Sequence, residues 1–352
     1  MMAYITASSK FYWDGSDHMR KYALTLCCTA CVFGAFGVFC RWIQGMTAFE
    51  ENGLYTPGSF WGIILILMYI AAAAAMIGFV LFFKRNQKLA SPPDFGLATA
   101  GHRRWALLIA LVVTLVMLAG SVMLLITAEG EQFASLLRVL ALLGVLCAAG
   151  FMGMAGACGK ESERGGALEA GLCLASVLPV VFCCFWLIVS YRQDAATSVV
   201  WSYAPEIIAI AASLLAFYYV AGHAYGRPRP FAAIFFCEFG AFSCFVTLPD
   251  ERLFALQVMF FAMAVMQLYF GLLLTANLRP AKEIGERFPG ALEAEGLAEP
   301  EEPEPEDPAD ELEDMGGDEG GEENFVEVTD EYLGEAGENS ACGGGNGEEQ
   351  KK

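Results

Sequence analysis

The chain has 352 residues, of which 56% are hydrophobic and only 17% are charged. Soluble domains carry about 25% charged residues, so this composition excludes an ordinary soluble globular protein. The net charge of −19 is concentrated at one end: residues 288–352 hold 23 Asp and Glu against two lysines, and residues 1–287 hold 17 acidic and 19 basic residues. The sequence therefore predicts a nearly neutral membrane body with an acidic tail.

Eight apolar stretches follow one another along the chain, at about 22–43, 60–83, 105–127, 133–157, 167–190, 205–225, 231–248 and 254–277. A bilayer core of about 30 Å is crossed by about 20 helical residues, so each stretch is a transmembrane helix candidate. The fourth contains Arg138, and the seventh is short and contains Glu238. The first is longer than the apolar core of a signal peptide, so we expect it to be retained.

These stretches define four segments of an all-α integral membrane protein. Residues 1–21 form a cytoplasmic N-terminal segment, 22–157 a first four-helix half, 158–287 a second four-helix half with its inner linkers, and 288–352 the acidic tail. The tail is rich in Pro, Gly and acidic residues with little to bury, a composition typical of disorder.

Basic residues predict the orientation, because Lys and Arg are retained on the cytoplasmic side. With the N-terminus inside, 17 of the 21 basic residues fall on the inner side and four fall on or near the outer side. The four are Arg41, Arg138, Arg192 and Arg252. Both termini should therefore be cytoplasmic. The absence of Asn-x-Ser/Thr sequons fits a bacterial plasma membrane.

The two halves show weak internal similarity, which favours a duplication. In each half an Arg ends the first span, and Tyr-x-Pro precedes the second, where proline suits the first helical turn; the residues are Arg41, Tyr55 and Pro57, then Arg192, Tyr203 and Pro205. A second ungapped match aligns Gly120 with Gly240 and places Leu118 opposite Glu238. Four spans per half is an even number, so the repeat would be parallel and not inverted.

No catalytic, metal or cofactor motif emerges. The chain lacks His-Glu-x-x-His and Gly-x-Ser-x-Gly, and its three histidines are far apart in the sequence. Cys28 and Cys31 have the spacing of a redox or metal pair, but no second pair accompanies them, and cysteines inside spans behave as small hydrophobes. We therefore expect a protein that is not an enzyme and that needs no cofactor.

Ionisable and polar residues inside spans are the candidate sites, because such residues are costly in a membrane. An ionised Glu238 would cost several kcal/mol unless a cation paired with it, so the sequence predicts either a protonated or a paired carboxyl group. Arg138 is the only cation well inside an apolar stretch and is therefore the candidate partner of Glu238. Its side chain could also extend outward to water. Gln267 is a candidate for hydrogen bonding between helices. Glu206 near a helix start is explained by the helix dipole.

One short segment of the tail, residues 324–335, is less polar than the rest. Its apolar residues stand among acidic ones: Phe325, Val326, Val328, Tyr332 and Leu333. Such a segment could dock on a protein partner, or the tail could simply be solubilising. The inner loop 84–104 is basic at both ends and could contact anionic lipid headgroups or the tail. The acidic tail would repel phosphates, so nucleic acid is not an expected partner.

Two functions remain open, and the sequence favours the first. The first is a non-enzymatic membrane scaffold or accessory subunit that binds a partner through the tail and inner loops. The second is a small-molecule or ion transporter with Glu238 as a titratable intramembrane group. The tail and the sparse polar interior favour the first, and the repeat and the buried carboxylate favour the second.

Overall fold

A computed structural model describes residues 17–48, 59–86, 88–101, 103–130, 133–159, 167–194, 200–250 and 252–287. Long apolar runs form the helices. They are α1 (Asp17–Thr47), α2 (Phe60–Leu81), α3 (Phe95–Ala98), α4 (Arg103–Thr127), α5 (Ala134–Ala157), α6 (Ala167–Asp194), α7 (Val200–Ala224), α8 (Pro230–Val246), α9 (Phe254–Ala276) and α10 (Ala281–Arg287). A π-helical turn (Phe82–Asn86), a 3₁₀ turn (Ala128–Gly130) and strands β1 (Leu89–Ala90) and β2 (Arg279–Pro280) complete the described elements.

Seven of these helices are long and apolar enough to cross a membrane, namely α1, α2, α4, α5, α6, α7 and α9. The protein is therefore an all-α, multi-pass membrane protein, and its apolar helices are suited to contact with a lipid bilayer. The stretch that contains Arg138 forms α5, a helix of 24 residues. The stretch that contains Glu238 forms α8, an apolar helix of 17 residues that is shorter than the other seven.

Helix α7 begins earlier than the sequence pattern indicated. The prediction started this span at 205, with Pro205 in its first turn, but α7 begins at Val200 and Pro205 lies in its second turn. At its other end α7 closes on Gly226, which adopts a φ of +66°. The Arg227 amide donates to the Gly222 carbonyl at 2.8 Å, a pattern that glycine permits because it has no Cβ.

Helix α9 lies at the centre of the bundle. It packs against α1, α4 and α8 and touches α7, and 72% of the residues in its most apolar 18-residue window are buried, against 22% in α2. A helix that is hydrophobic on every face is expected at such a central position. Helices α4 to α8 pack in sequence, each against the next, while α1 and α2 pack against each other and against α8.

The packing joins the two predicted halves closely. Helices α1 and α2 belong to the first predicted half, yet both contact α8 of the second, and α5 packs against α6. The aligned glycines Gly120 and Gly240 both face α9, where an added Cβ would meet Met259 at Gly120 and Gln267 at Gly240. The duplication itself stays a prediction.

A short segment after α2 folds over one end of the bundle, which we call the Asn277 end. Strand β1 pairs antiparallel with β2, and α3 is buried. The Asn277 side-chain amide donates to the carbonyls of Ala98 at 3.1 Å and Ala100 at 2.8 Å. The sequence predicted that loop 84–104 contacts lipid headgroups or the tail. The centre of this loop packs against protein, while the basic side chains of Lys84, Arg85 and Arg104 are exposed.

Candidate intramembrane site

Glu238 lies on α8, about 12 Å along the helix from Pro230, which occupies its first turn. Its side chain is fully buried, and neither carboxyl oxygen has a hydrogen-bond partner in the part of the chain that the structure describes. The thiols of Cys27 and Cys31 on α1, and of Cys237 on α8, lie within electrostatic range of it. An ionised carboxylate costs several kcal/mol in such surroundings, whereas a neutral acid costs much less.

Gly271 on α9 provides the space for this carboxyl group. A Cβ added at Gly271 would lie 2.5 Å from Glu238 Oε1, 3.2 Å from its Cδ and 3.4 Å from the Cys237 Cβ. Because real Cβ atoms do not approach other atoms so closely, any larger residue at Gly271 would require the Glu238 side chain to shift. The carboxyl group therefore packs directly against the backbone of α9.

A second side chain packs over a glycine at the same helix contact, but this time the side chain belongs to α9 and the glycine to α8. The Gln267 amide on α9 packs over Gly240 of α8, where an added Cβ would overlap Oε1. Its Nε2 donates to Ser213 Oγ on α7 at 2.8 Å. Ser213 Oγ donates to the Ala209 carbonyl at 2.7 Å. Gln267 thus connects α7, α8 and α9.

Two further polar side chains lie beyond Gln267, towards the loop between α8 and α9. Tyr69 of α2 is half-buried against rings of α8, with its centroid 5.0 Å from that of Phe242, and its buried hydroxyl lies beside Ser243. That hydroxyl lies within electrostatic range of Arg41 and Asp250. On α8, Ser243 donates to the Phe239 carbonyl at 2.8 Å.

A buried group of charged and amide side chains closes this end of the bundle, which we call the Asp250 end. We call the group the Asp250 cluster; it consists of Arg41, Gln44, Glu206, Asp250 and Arg252. Arg41 Nε donates to Asp250 Oδ1 at 2.6 Å and Nη1 to Gln44 Oε1 at 2.9 Å. Arg252 forms an ion pair with Glu206 and lies 3.6 Å from Asp250 Oδ2. The cluster connects α1 and α7 to the α8–α9 loop.

Burial dominates the electrostatics of this cluster. The side chains of Arg41 and Asp250 are 6% and 7% exposed, and that of Glu206 is 1% exposed. Burial raises the pKa of Asp250 above its ordinary value, and the adjacent Arg41 guanidinium partly opposes that rise. The sequence-based explanation for Glu206 was the helix dipole alone, and the structure adds its ion pair with Arg252.

The structure places Arg138 away from Glu238. Arg138 pairs with Glu129 at 3.5 Å, and the two side chains are 51% and 78% exposed. This cation therefore extends outward and is not brought to the buried carboxyl group. Among the described residues, no group of three or more His, Cys, Asp or Glu could hold a metal ion.

The predicted repeat residues fall in different environments. Arg41 is buried, Arg192 is exposed, Tyr203 is half-buried and Pro205 is buried. Tyr55 and Pro57 lie outside the described residues, as do the proposed docking residues of the tail: Phe325, Val326, Val328, Tyr332 and Leu333.

Sequence reasoning missed the partners of Arg41 and Arg252. Both lie at the ends of predicted spans, and both find a buried acid more than 40 residues away in the sequence. The sequence did contain a signal for these ion pairs, because the acidic residues Glu206 and Asp250 lie near the ends of predicted spans, as Arg41 and Arg252 do. No protein-family model, curated protein or solved structure matches the chain.

Proposed function

We propose that the protein is a membrane transporter for an ion or small molecule, with Glu238 as the group that takes up and releases a proton. The observation that carries the proposal is the buried carboxyl group of Glu238, which has neither a cation nor a hydrogen-bond donor among the described residues. Ionisable residues within spans are functional-site hypotheses by default, because such residues line ion pathways and proton relays.

The proposal includes the complete topology. We infer eight spans with α8 as the seventh, both termini in the cytoplasm of a plasma membrane of bacterial type, and two parallel four-helix halves. The Asn277 end would then face the cytoplasm. Exposed Lys84, Arg85 and Arg104 at that end support this orientation, because basic residues are retained there.

The local packing supports a proton-exchanging role over a purely structural one. A buried acid retained for stability is expected to pair with a donor or a cation, as Glu206 does with Arg252. Glu238 instead fits over Gly271, a contact that leaves both oxygens unpartnered. Loss of the proton would create an unpaired buried charge, so ionisation must be coupled to a rearrangement or to entry of a cation.

The test is carbodiimide labelling of the full-length protein in membranes, read by peptide mass spectrometry across a pH series. Hydrophobic carbodiimides modify protonated carboxyl groups in apolar surroundings. We expect labelling of Glu238 to titrate with pH and to disappear in Glu238→Gln. Glu206 is an internal control, because it is equally buried but ion-paired, and it should stay unmodified. Absence of labelling at Glu238 at every pH would remove the basis for the proposal.

A second candidate is a non-enzymatic scaffold or accessory subunit that binds a protein partner through residues 288–352. The observation that favours it is the composition of the tail, which holds 23 acidic residues against two lysines and contains the short apolar segment 324–335. Deletion of 288–352 separates the two functions. A scaffold would lose a co-purifying partner, whereas a transporter would keep the titration of Glu238.

A further inference from the structure

Polar groups are distributed unequally on the two sides of Glu238. On the Asn277 side, the eight residues of α8 that precede it read PFAAIFFC and contain no charged or amide side chain. On the Asp250 side follow Ser243, Cys244, Thr247 and Asp250. Ser243 lies about 8 Å along the helix from Glu238. Hydroxyl groups and a carboxyl group therefore follow Glu238 in the second half of α8 and in the loop after it.

Other helices add polar groups on the same side. Gln267 lies one turn of α9 from Gly271, towards the Asp250 end, because α9 begins at that end. Its amide reaches Ser213 on α7, whose hydroxyl lies 3.3 Å from Cys244 Sγ. Tyr69 of α2 continues the series towards Arg41 and Asp250. We call this set the polar track; it consists of Gln267, Ser213, Cys244, Ser243 and Tyr69.

The members of the polar track are close enough to one another to form a continuous row. The Tyr69 hydroxyl lies beside Ser243, and the Gln267 amide lies beside the Cys244 thiol. Buried polar atoms are almost always hydrogen-bonded, to protein or to ordered water. Such a row between Glu238 and the Asp250 end is suited to pass a proton from one hydrogen-bonding group to the next.

Aromatic rings of α7 and α8 pack against each other on the Asn277 side of Glu238. Phe236 stacks on Tyr219 with centroids 5.5 Å apart, and Phe235 packs edge-on against Phe236 at 5.0 Å. The nearest buried hydroxyl of α9 on that side, Thr275, is satisfied by the Gly271 carbonyl at 2.8 Å. His223 has an unpartnered Nε2, but it lies in the last turn of α7, on the Asn277 side of these rings.

We infer that Glu238 exchanges its proton with the Asp250 end of the bundle, along the polar track, and not with the Asn277 end. The inference rests on the proposed function and adds its direction. When the proton leaves, the Glu238 O–H bond breaks and the proton passes to a water molecule, which becomes hydronium; uptake is the reverse. The titratable groups within electrostatic range of Glu238 among the described residues are the thiols of Cys27 and Cys31 on α1 and of Cys237 on α8, and its neighbours on α9, Gly271 and Gln267, do not titrate.

The experiment uses the full chain in lipid vesicles with different pH values on the two sides. A protease-cleavable tag at the C-terminus separates the molecules by orientation before mass spectrometry of the carbodiimide-labelled Glu238 peptide. We expect labelling to follow the pH on the side of the Asp250 end. Labelling that follows the pH on the Asn277 side, or both sides equally, would overturn the inference while leaving the proposed function standing. No labelling at any pH would overturn both.

Substitutions along the polar track test the path itself. Tyr69→Phe removes the hydroxyl from the polar track, and Gln267→Leu removes the amide. We expect each to slow the response of Glu238 labelling to a pH jump at the Asp250 end roughly tenfold. Thr275→Val removes a buried hydroxyl on the other side of Gly271 and should leave the rate unchanged. Equal rates in all three variants and the unaltered protein would show that the proton takes another path.

Discussion

The contact between Glu238 and Gly271 makes a prediction that can be quantified. In Gly271→Ala, the new Cβ would lie 2.5 Å from Glu238 Oε1, whereas ordinary contacts begin at 3.4 Å. The oxygen must therefore move by about 0.9 Å, which a turn of about 20–30° in the Glu238 side chain provides. A departure of that size from a preferred rotamer costs about 0.5–1.5 kcal/mol.

The matched control is Gly78→Ala on α2, where an added Cβ meets nothing within 4 Å. Both substitutions gain about 0.5–1 kcal/mol because alanine favours the helix over glycine. We therefore expect Gly78→Ala to stabilise the protein slightly and Gly271→Ala to be about 1 kcal/mol worse than this control. The free energy of unfolding can be measured by denaturation from mixed micelles.

A double-mutant cycle isolates the contact from other effects of the substitution. In a Glu238→Ala background the oxygen is absent, so Gly271→Ala should behave like the control. The coupling free energy between the two positions is then about 1 kcal/mol. Additivity of the two substitutions within about 0.3 kcal/mol would refute the claim that this glycine makes room for the carboxyl group.

Three further predictions follow from individual contacts. Arg252→Ala leaves a buried carboxylate without its cation and should destabilise the fold by about 3 kcal/mol or more in denaturation experiments, whereas Arg138→Ala, at an exposed pair, should change stability by less than about 1 kcal/mol. Asn277→Ala removes a donor to two carbonyls of the segment 89–101, so amide hydrogen exchange there should speed up severalfold. Burial raises the pKa of the Cys158 thiol to about 11, so maleimide at pH 7.5 should modify it only after unfolding; modification at equal rates in folded and unfolded protein would contradict that burial.

Helix positions could be predicted from the sequence because hydrophobicity and length decide them locally. Seven predicted spans correspond to helices of sufficient length and apolarity, with most ends within a few residues. The start of α7 was wrong by five residues, since Pro205 was assigned to a first turn that in fact begins at Val200. Proline is tolerated at a helix start but does not by itself mark one.

Contacts between distant residues could not be predicted in this way. Glu238 was recognised as a site because its charge is exceptional within its own stretch. Its fit over Gly271 depends on the register between α8 and α9, which no local pattern specifies. Arg138 was considered as its partner because both lie in apolar stretches. However, Arg138 lies near the start of α5 and pairs with the exposed Glu129. Arg41 and Asp250 are separated by 209 positions, and their pairing needs the tertiary fold.

The shortness of α8 and the charge within it have a common physical explanation. At 17 residues, α8 is about 25 Å long, less than the roughly 30 Å of a bilayer core. A lipid-facing helix of that length would expose polar backbone at its ends, but α8 packs against α1, α2, α7 and α9. Protein contacts can satisfy or shield polar groups that lipid cannot. The same enclosure that tolerates a short helix also surrounds Glu238 with protein and keeps it from lipid.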